Sequence, residues 1–237
     1  MCSIPVSIPI SFSSCSKNNM TTQTPKTNFE DLEKAFADYG NKAGSPTYIV
    51  CFGKTFLESD SEAYKVSEKV GAMIIENGFG VLHGGYIGSM EAVSSGANDA
   101  IRKDASKNEF WNIGVLMQIF DGNVARASSA HLPPANDIFD RKKALISFCD
   151  ACVVLPSGGV GTLLEALELL HVNQIAEKFG GKIRPLFFVG DAWKDLFNEI
   201  YSRLDMAKQS KGESYLHFLA SIEDLDKELK LLKTKNI

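Results

Sequence analysis

Residues 153–166 read Val-Val-Leu-Pro-Ser-Gly-Gly-Val-Gly-Thr-Leu-Leu-Glu-Ala, and this stretch narrows the possible folds most. An apolar, β-branched run passes through a glycine turn into good helix formers, so a buried strand hands over to a helix within a few residues. That handover is the building unit of parallel α/β sheets. It exposes backbone N–H groups at a helix N-terminus, where the macrodipole favours an anion. Gly158, Gly159 and Gly161 let a phosphate approach the main chain, Thr162 adds a hydroxyl, and Glu165 follows one helical turn on. Phosphate binding alone has no use for that carboxylate. A reaction that builds positive charge on a neighbouring sugar does.

The same alternation recurs along the chain. Phe29–Tyr39 reads as an amphipathic helix and Asn41–Pro46 as a linker. Strands are expected at Tyr48–Phe52, Gly80–Leu82, Asn112–Met117, Ala151–Leu155 and Pro185–Val189. Helices are expected from Ser61 (as N-cap) to Asn77, from the first glycine turn to Lys103, at Ile138–Phe148, from the second glycine turn to Lys178, near Trp193–Leu204 and at Ile222–Leu232. Residues 119–137, with Pro133-Pro134, read as a long connection. Continuous apolar strands separated by helices predict a Rossmann-like, doubly wound parallel sheet in a three-layer α/β/α arrangement. Ligands in such folds sit beyond the carboxyl ends of the strands. Both glycine turns, Gly84-Gly85 and Gly158–Gly161, lie at such ends and read as two walls of one nucleotide pocket.

Composition narrows the partners. The chain has 237 residues, 44% hydrophobic and 23% charged, which suits one α/β domain over residues 29–237. A net charge of −4 gives no general attraction for nucleic acid or anionic lipid, so a phosphate site has to be local. No apolar run approaches the ~20 residues that span a bilayer. Residues 1–28 contain no acid and are rich in Ser, Thr, Pro and Asn; they read as a disordered tail, with a degenerate organelle-targeting peptide as the second reading. Cys149 and Cys152 form a C-x-x-C with no second ligand pair, which reads as packed thiols in a reducing, cytoplasmic setting. No metal site and no cofactor are expected.

The motifs carry a resemblance. Pro156 to Glu165 resembles the PGGxGTxxE signature of the Lonely Guy (LOG) family, once labelled lysine decarboxylases. Tyr48–Gly53 is similar to the family's first strand and its glycine, His83–Met90 to its GGGxxGLM turn, and Asp140-Arg141-Lys142 to its E-R-K segment. Departures are Ser157 as an extra residue, His83 and Glu91 for glycines, Lys54 for a serine, Asp140 for a glutamate and Phe139 for a histidine. The resemblance covers roughly residues 45–205. It implies a phosphoribohydrolase acting on cytokinin nucleotides, AMP or related nucleotides, and a homodimer with sites near the interface.

In that frame Glu165 and Arg141 are the candidate catalytic pair. Glu165, near a helix start, is expected to stay ionised and stabilise an oxocarbenium-like sugar or activate water. Arg141 offers a rigid fork for phosphate or for Glu165 itself. Gly158, Gly159, Gly161, Thr162, Gly84, Gly85, Lys142, Gly53 and Lys54 are the candidate substrate and phosphate contacts. His83 reads as a ligand contact or as a satisfied loop histidine. No leaving-group acid is legible. The dinucleotide fingerprint and the P-loop both fail to match, and nothing points to a Schiff-base lysine. The leading expectation is hydrolysis of a purine or cytokinin nucleoside 5′-monophosphate to free base and ribose 5-phosphate. The alternative is a binding protein of the same fold that holds a nucleotide or a molybdenum-cofactor-type ligand without cleaving it.

Overall fold

A computed structural model describes residues 27–118, 124–125, 127, 130–203 and 214–235. The tail reading therefore lies outside the described residues, except that Asn28 caps the first helix by accepting from the Asp31 amide. In chain order the elements are α1 (Phe29–Ala43), β1 (Tyr48–Phe52), α2 (Glu62–Glu76), β2 (Gly80–His83), α3 (Ser89–Arg102), β3 (Asn112–Met117), β4 (Ala130–Ala135), α4 (Ile138–Ser147), β5 (Ala151–Val154), α5 (Val160–Phe179), β6 (Leu186–Val189), α6 (Asp191–Arg203), β7 (Leu216–Leu219) and α7 (Ile222–Thr234). A short 3₁₀ turn, Glu109–Trp111, leads into β3.

The strands form one parallel sheet in the order β4-β3-β2-β1-β5-β6-β7. The chain winds outward from β1 to β4, then returns to the other side of β1 with β5. The order reverses between β1 and β5, and that reversal opens a crevice at their carboxyl ends. Side chains alternate across the sheet with the period of two that strands impose. Val50, Phe52, Leu82, Val154 and Phe188 face a core shared with Leu32, Leu145, Leu169 and Phe197 of α1, α4, α5 and α6. Ile49, Cys51, Val81, Val153 and Phe187 face a second core with Val70, Val93 and Leu225 of α2, α3 and α7. The sheet is thus buried on both faces, as the continuous apolar strands require.

Three sequence-based boundaries change. The connection at 119–137 contains β4, an edge strand that carries Pro133 and Pro134 in exposed positions. An edge strand tolerates missing N–H donors, which is why the prolines masked it. The short strand β7 was not expected; it is the opposite edge and only half buried, so its apolar pattern is weak. Helix α1 runs on to Ala43 and stops at Gly44, which adopts φ +82°.

Candidate active site

A cavity of about 390 Å³ opens at the β1/β5 crevice. Its walls come from the end of β1 (Phe52, Gly53, Phe56), the turn after β2 (Gly84, Tyr86), α3 (Met90), α4 (Ile138, Arg141, Leu145) and the start of α5 (Gly161, Thr162, Glu165). Both glycine turns contribute, so the two expected walls do enclose one space.

Arg141 is fixed from below. Asp137 caps α4 by accepting from the amides of Phe139 and Asp140, so Asp137 rather than Asp140 organises the start of this helix. One turn later the Arg141 side chain is buried. Its Nε donates to the carbonyl of Val115 at 2.9 Å and Nη2 to that of Gly84 at 3.0 Å. The guanidinium carbon sits 5.4 Å from the centre of the Tyr86 ring, within cation–π range. Any side chain at position 84 would put a Cβ 2.0 Å from Nη2, so the glycine there serves the arginine. With two donors committed to main-chain carbonyls, Nη1 faces Glu165 Oε1 at 3.6 Å. That is an ion pair, too long for a hydrogen bond.

Glu165 occupies the second turn of α5, and its side chain retains 15% exposure. Burial raises its carboxyl pKa, while Arg141 and Lys142 pull the other way and Glu168 adds to the rise. The ionised form expected for Glu165 is therefore opposed by burial, which outweighs any support from the helix start. Glu165 stands too far into the helix for the first-turn effect to dominate, and desolvation wins. A carboxyl poised above the usual range accepts and returns a proton more readily than a surface glutamate.

The remaining candidates divide. Gly53, Gly84, Gly161 and Thr162 line the cavity. Thr162 Oγ1 accepts the Gly159 amide at 3.3 Å, which leaves its own hydroxyl hydrogen free to donate. Gly158 packs against Trp193, where a Cβ would lie 2.5 Å from the indole. Gly159 and Gly161 are different. Neither has positive φ, and an added Cβ at either would meet no atom within 4 Å. Nothing inside the fold requires glycine at these two positions. Gly85 lies behind Gly84 and outside the lining, with φ +76°. Lys54 and Lys142 are not brought to the cavity. Lys54 holds Ser89 through its backbone at 2.9 and 3.2 Å, and its side chain is exposed. Lys142, one residue past Arg141, points about 100° around the helix and pairs with Glu168 at 2.5 Å. His83 is fully buried and bonded at both nitrogens, the satisfied-histidine reading.

The sequence reading missed the apolar walls: Phe52, Phe56, Tyr86, Met90, Ile138 and Leu145. Only Tyr86 offered a signal, as an aromatic residue placed inside a glycine turn. Among the described residues Cys51, Cys149 and Cys152 are free and buried, and burial raises the thiol pKa of Cys149 to about 12. Among the described residues no group of three or more His, Cys, Asp and Glu side chains could hold a metal ion, and no helix is long and apolar enough to cross a membrane.

A family profile described as "possible lysine decarboxylase" matches residues 90–229, which includes α4, the second glycine turn and Glu165. The chain belongs to this family, the LOG family. No curated protein sequence matches it. The solved structures similar to this LOG-family chain include the molybdenum cofactor carrier protein of Chlamydomonas reinhardtii, at 17% identity and TM-score 0.55, over 80% of this chain and 99% of that one. The molybdenum cofactor binding protein of Rippkaea orientalis is similar at 22% identity and TM-score 0.54, over 81% and 98%. DNA processing protein A of Helicobacter pylori matches at 13% identity and TM-score 0.50, over 80% and 81%. These likenesses establish the Rossmann-like fold alone.

Proposed function

We propose that this LOG-family chain hydrolyses the N-glycosidic bond of a purine or cytokinin nucleoside 5′-monophosphate, releasing the free base and ribose 5-phosphate. One observation carries the reading: Glu165 and Arg141 share a single cavity with the start of α5, beside two glycines that the fold itself does not need. The α5 amides and the Thr162 hydroxyl would hold the 5′-phosphate. Glu165 would face the anomeric carbon, stabilise the developing positive charge and activate water. Arg141 would keep that carboxylate oriented and charged. The apolar wall of Phe52, Met90, Ile138 and Leu145 suits a planar base that leaves water.

The test is chromatography of full-length protein incubated with AMP and, separately, with isopentenyladenosine monophosphate. Release of base with ribose 5-phosphate is the expected result. Tight binding with no base from either nucleotide would replace this reading with that of a binding or carrier protein, the roles that the names of the Rippkaea and Chlamydomonas proteins give.

The raised Glu165 carboxyl sets the expected pH profile. The ionised form is the active one, and burial places its titration above the ordinary carboxylate range. Base release therefore falls off on the acid side at a higher pH than a surface glutamate would dictate. A kcat/KM profile still flat down to pH ~4.5, the ordinary glutamate range, contradicts the assignment.

The chain is also proposed to pair with a second copy through α5. Val160, Leu164, Ile175 and Phe179 are exposed and recur at near-helical spacing along one face of this helix, whose first turn lines the cavity. Two exposed apolar pairs on one helix face, with Glu168 and His171 between them, suit a contact surface with a polar centre. Leu164→Glu is expected to convert a dimer to a monomer in analytical ultracentrifugation. A wild-type protein that sediments as a monomer at micromolar concentration removes the proposal.

A further inference from the structure

Resting on that reading, we propose that His83 is a positioning residue for Arg141: it fixes the Gly84-Gly85 turn whose carbonyl orients the guanidinium. His83 closes β2, fully buried, and lies outside the cavity lining. Its surroundings allow one arrangement of protons. Asn112, at the start of β3, directs its side-chain amide hydrogens toward α3, where Nδ2 lies 3.1 Å from the Ser94 carbonyl, 2.9 Å from Ser94 Oγ and 2.8 Å from Asn98 Oδ1. That network sets the amide orientation and turns Asn112 Oδ1 toward His83, 3.1 Å from Nε2. An acceptor there requires the hydrogen on Nε2. Nδ1 is then bare, and it accepts the Gly85 amide at 3.0 Å.

The turn is gripped from its other side as well, because the Gly85 carbonyl accepts the Ala125 amide at 2.9 Å. The Gly84 carbonyl belongs to the same planar peptide group as the anchored Gly85 amide, and it takes Nη2 of Arg141 at 3.0 Å. Val115 holds Nε, so the direction of Nη1 toward Glu165 depends on both carbonyls staying where they are. A line of hydrogen bonds thus runs from α3 through Asn112 and His83 to the turn, and from the turn to the arginine. Burial lowers the His83 pKa to about 3, with His131 and Arg141 adding to the effect. The neutral ring therefore persists at working pH. A proton on Nδ1 would set two N–H groups face to face.

The experiment compares full-length wild type, His83→Leu and His83→Asn by ¹⁵N NMR of arginine side chains and by steady-state kinetics with the nucleotide that wild type cleaves. Asparagine presents an acceptor near the place of Nδ1, and leucine presents none. In wild type the Arg141 Nη signals are expected to be separate, from restricted rotation. His83→Leu is expected to merge or broaden them and to lower kcat by on the order of 10²-fold with KM little changed, since small misplacements of a catalytic group cost that much. His83→Asn is expected to recover both. A purely structural role would lower Tm and leave kcat and the Arg141 signals as in wild type; that result in folded His83→Leu overturns the proposal. Should His83→Leu fail to fold, Asn112→Ser frees the ring tautomer from further away, and unaltered Arg141 signals in that variant overturn it equally. Absence of base release from wild type would defeat the hydrolase reading and not this one, because the arginine signals still decide whether His83 governs the turn.

Discussion

Glu165→Gln is expected to lower kcat for base release by about 10²–10⁴-fold, the range for loss of a single positioned base, while nucleotide affinity stays within a few fold. Glutamine has the shape of the glutamate and keeps the packing at the second turn of α5. It carries no charge to set against an oxocarbenium-like sugar and cannot take a proton from water. The same variant should be more stable than wild type at neutral pH. The folded-state pKa of Glu165 lies above its unfolded value because burial outweighs the attraction of Arg141. The native protein then binds the proton more readily than the unfolded chain does, so stability falls as pH rises through the window between the two values. The penalty is complete above the folded pKa and absent below the unfolded one. Glutamine removes it, and Tm should rise at pH 7–8 by roughly 2–4 °C for each kcal/mol released, an advantage that closes as pH falls toward the ordinary carboxylate range. Activity bought with instability is the usual mark of a functional group. A Glu165→Gln protein that turns over within about tenfold of wild type would remove this residue from the mechanism.

The sheet was largely legible in the sequence because each central strand is apolar on both faces. Val50 and Phe52 serve one core, Ile49 and Cys51 the other, and such a run fits only a strand covered on both sides. The edges were not legible for the converse reason. β4 carries two prolines and β7 is half exposed, so neither shows the pattern that marks the interior. The site divides along similar lines. Residues that read as part of a local motif, such as Gly161, Thr162 and Glu165, are held together by one turn and one helix, and the cavity contains them. Arg141 and Glu165 come from different helices, α4 and α5, which flank β5 in the chain where it returns from β4 to the other side of β1. Lys54 and Lys142 looked equally apt as cations, but position within a motif does not set the direction of a side chain. Lys142 is one residue from Arg141 and faces Glu168 instead of the cavity. The apolar walls come from α3, α4 and the loop after β1, and no spacing rule connects Phe56 with Met90 or Leu145. The glycines illustrate the limit best. Gly84, Gly158, Gly159 and Gly161 look alike in the sequence, yet the first makes room for Arg141, the second for Trp193, and the last two for nothing in the fold.

Arg141→Ala is expected to damage both the fold and the chemistry. Its removal leaves the carbonyls of Val115 and Gly84 without their donors and leaves Glu165 buried without a cation. Deleting one partner of a buried ion pair costs about 3–5 kcal/mol, a drop in Tm on the order of 10 °C for a chain of this size. Arg141→Lys separates the two consequences. Lysine keeps the charge and loses the planar fork, so it can serve one of the two carbonyls or Glu165, but not all three. Stability should recover in part, and kcat should stay depressed by at least about 10²-fold because the carboxylate is no longer oriented. Weaker attraction from the displaced cation lets burial raise the Glu165 carboxyl further, since Arg141 is the largest influence holding it down. The acid limb of the remaining activity should therefore move to higher pH than in wild type. Combining Arg141→Lys with Glu165→Gln should cost far less than the sum of the single losses, as expected of two groups that act through one contact. Additive losses, or an Arg141→Lys enzyme with the wild-type acid limb and rate, would mean that the 3.6 Å approach of Nη1 to Glu165 has no part in the reaction.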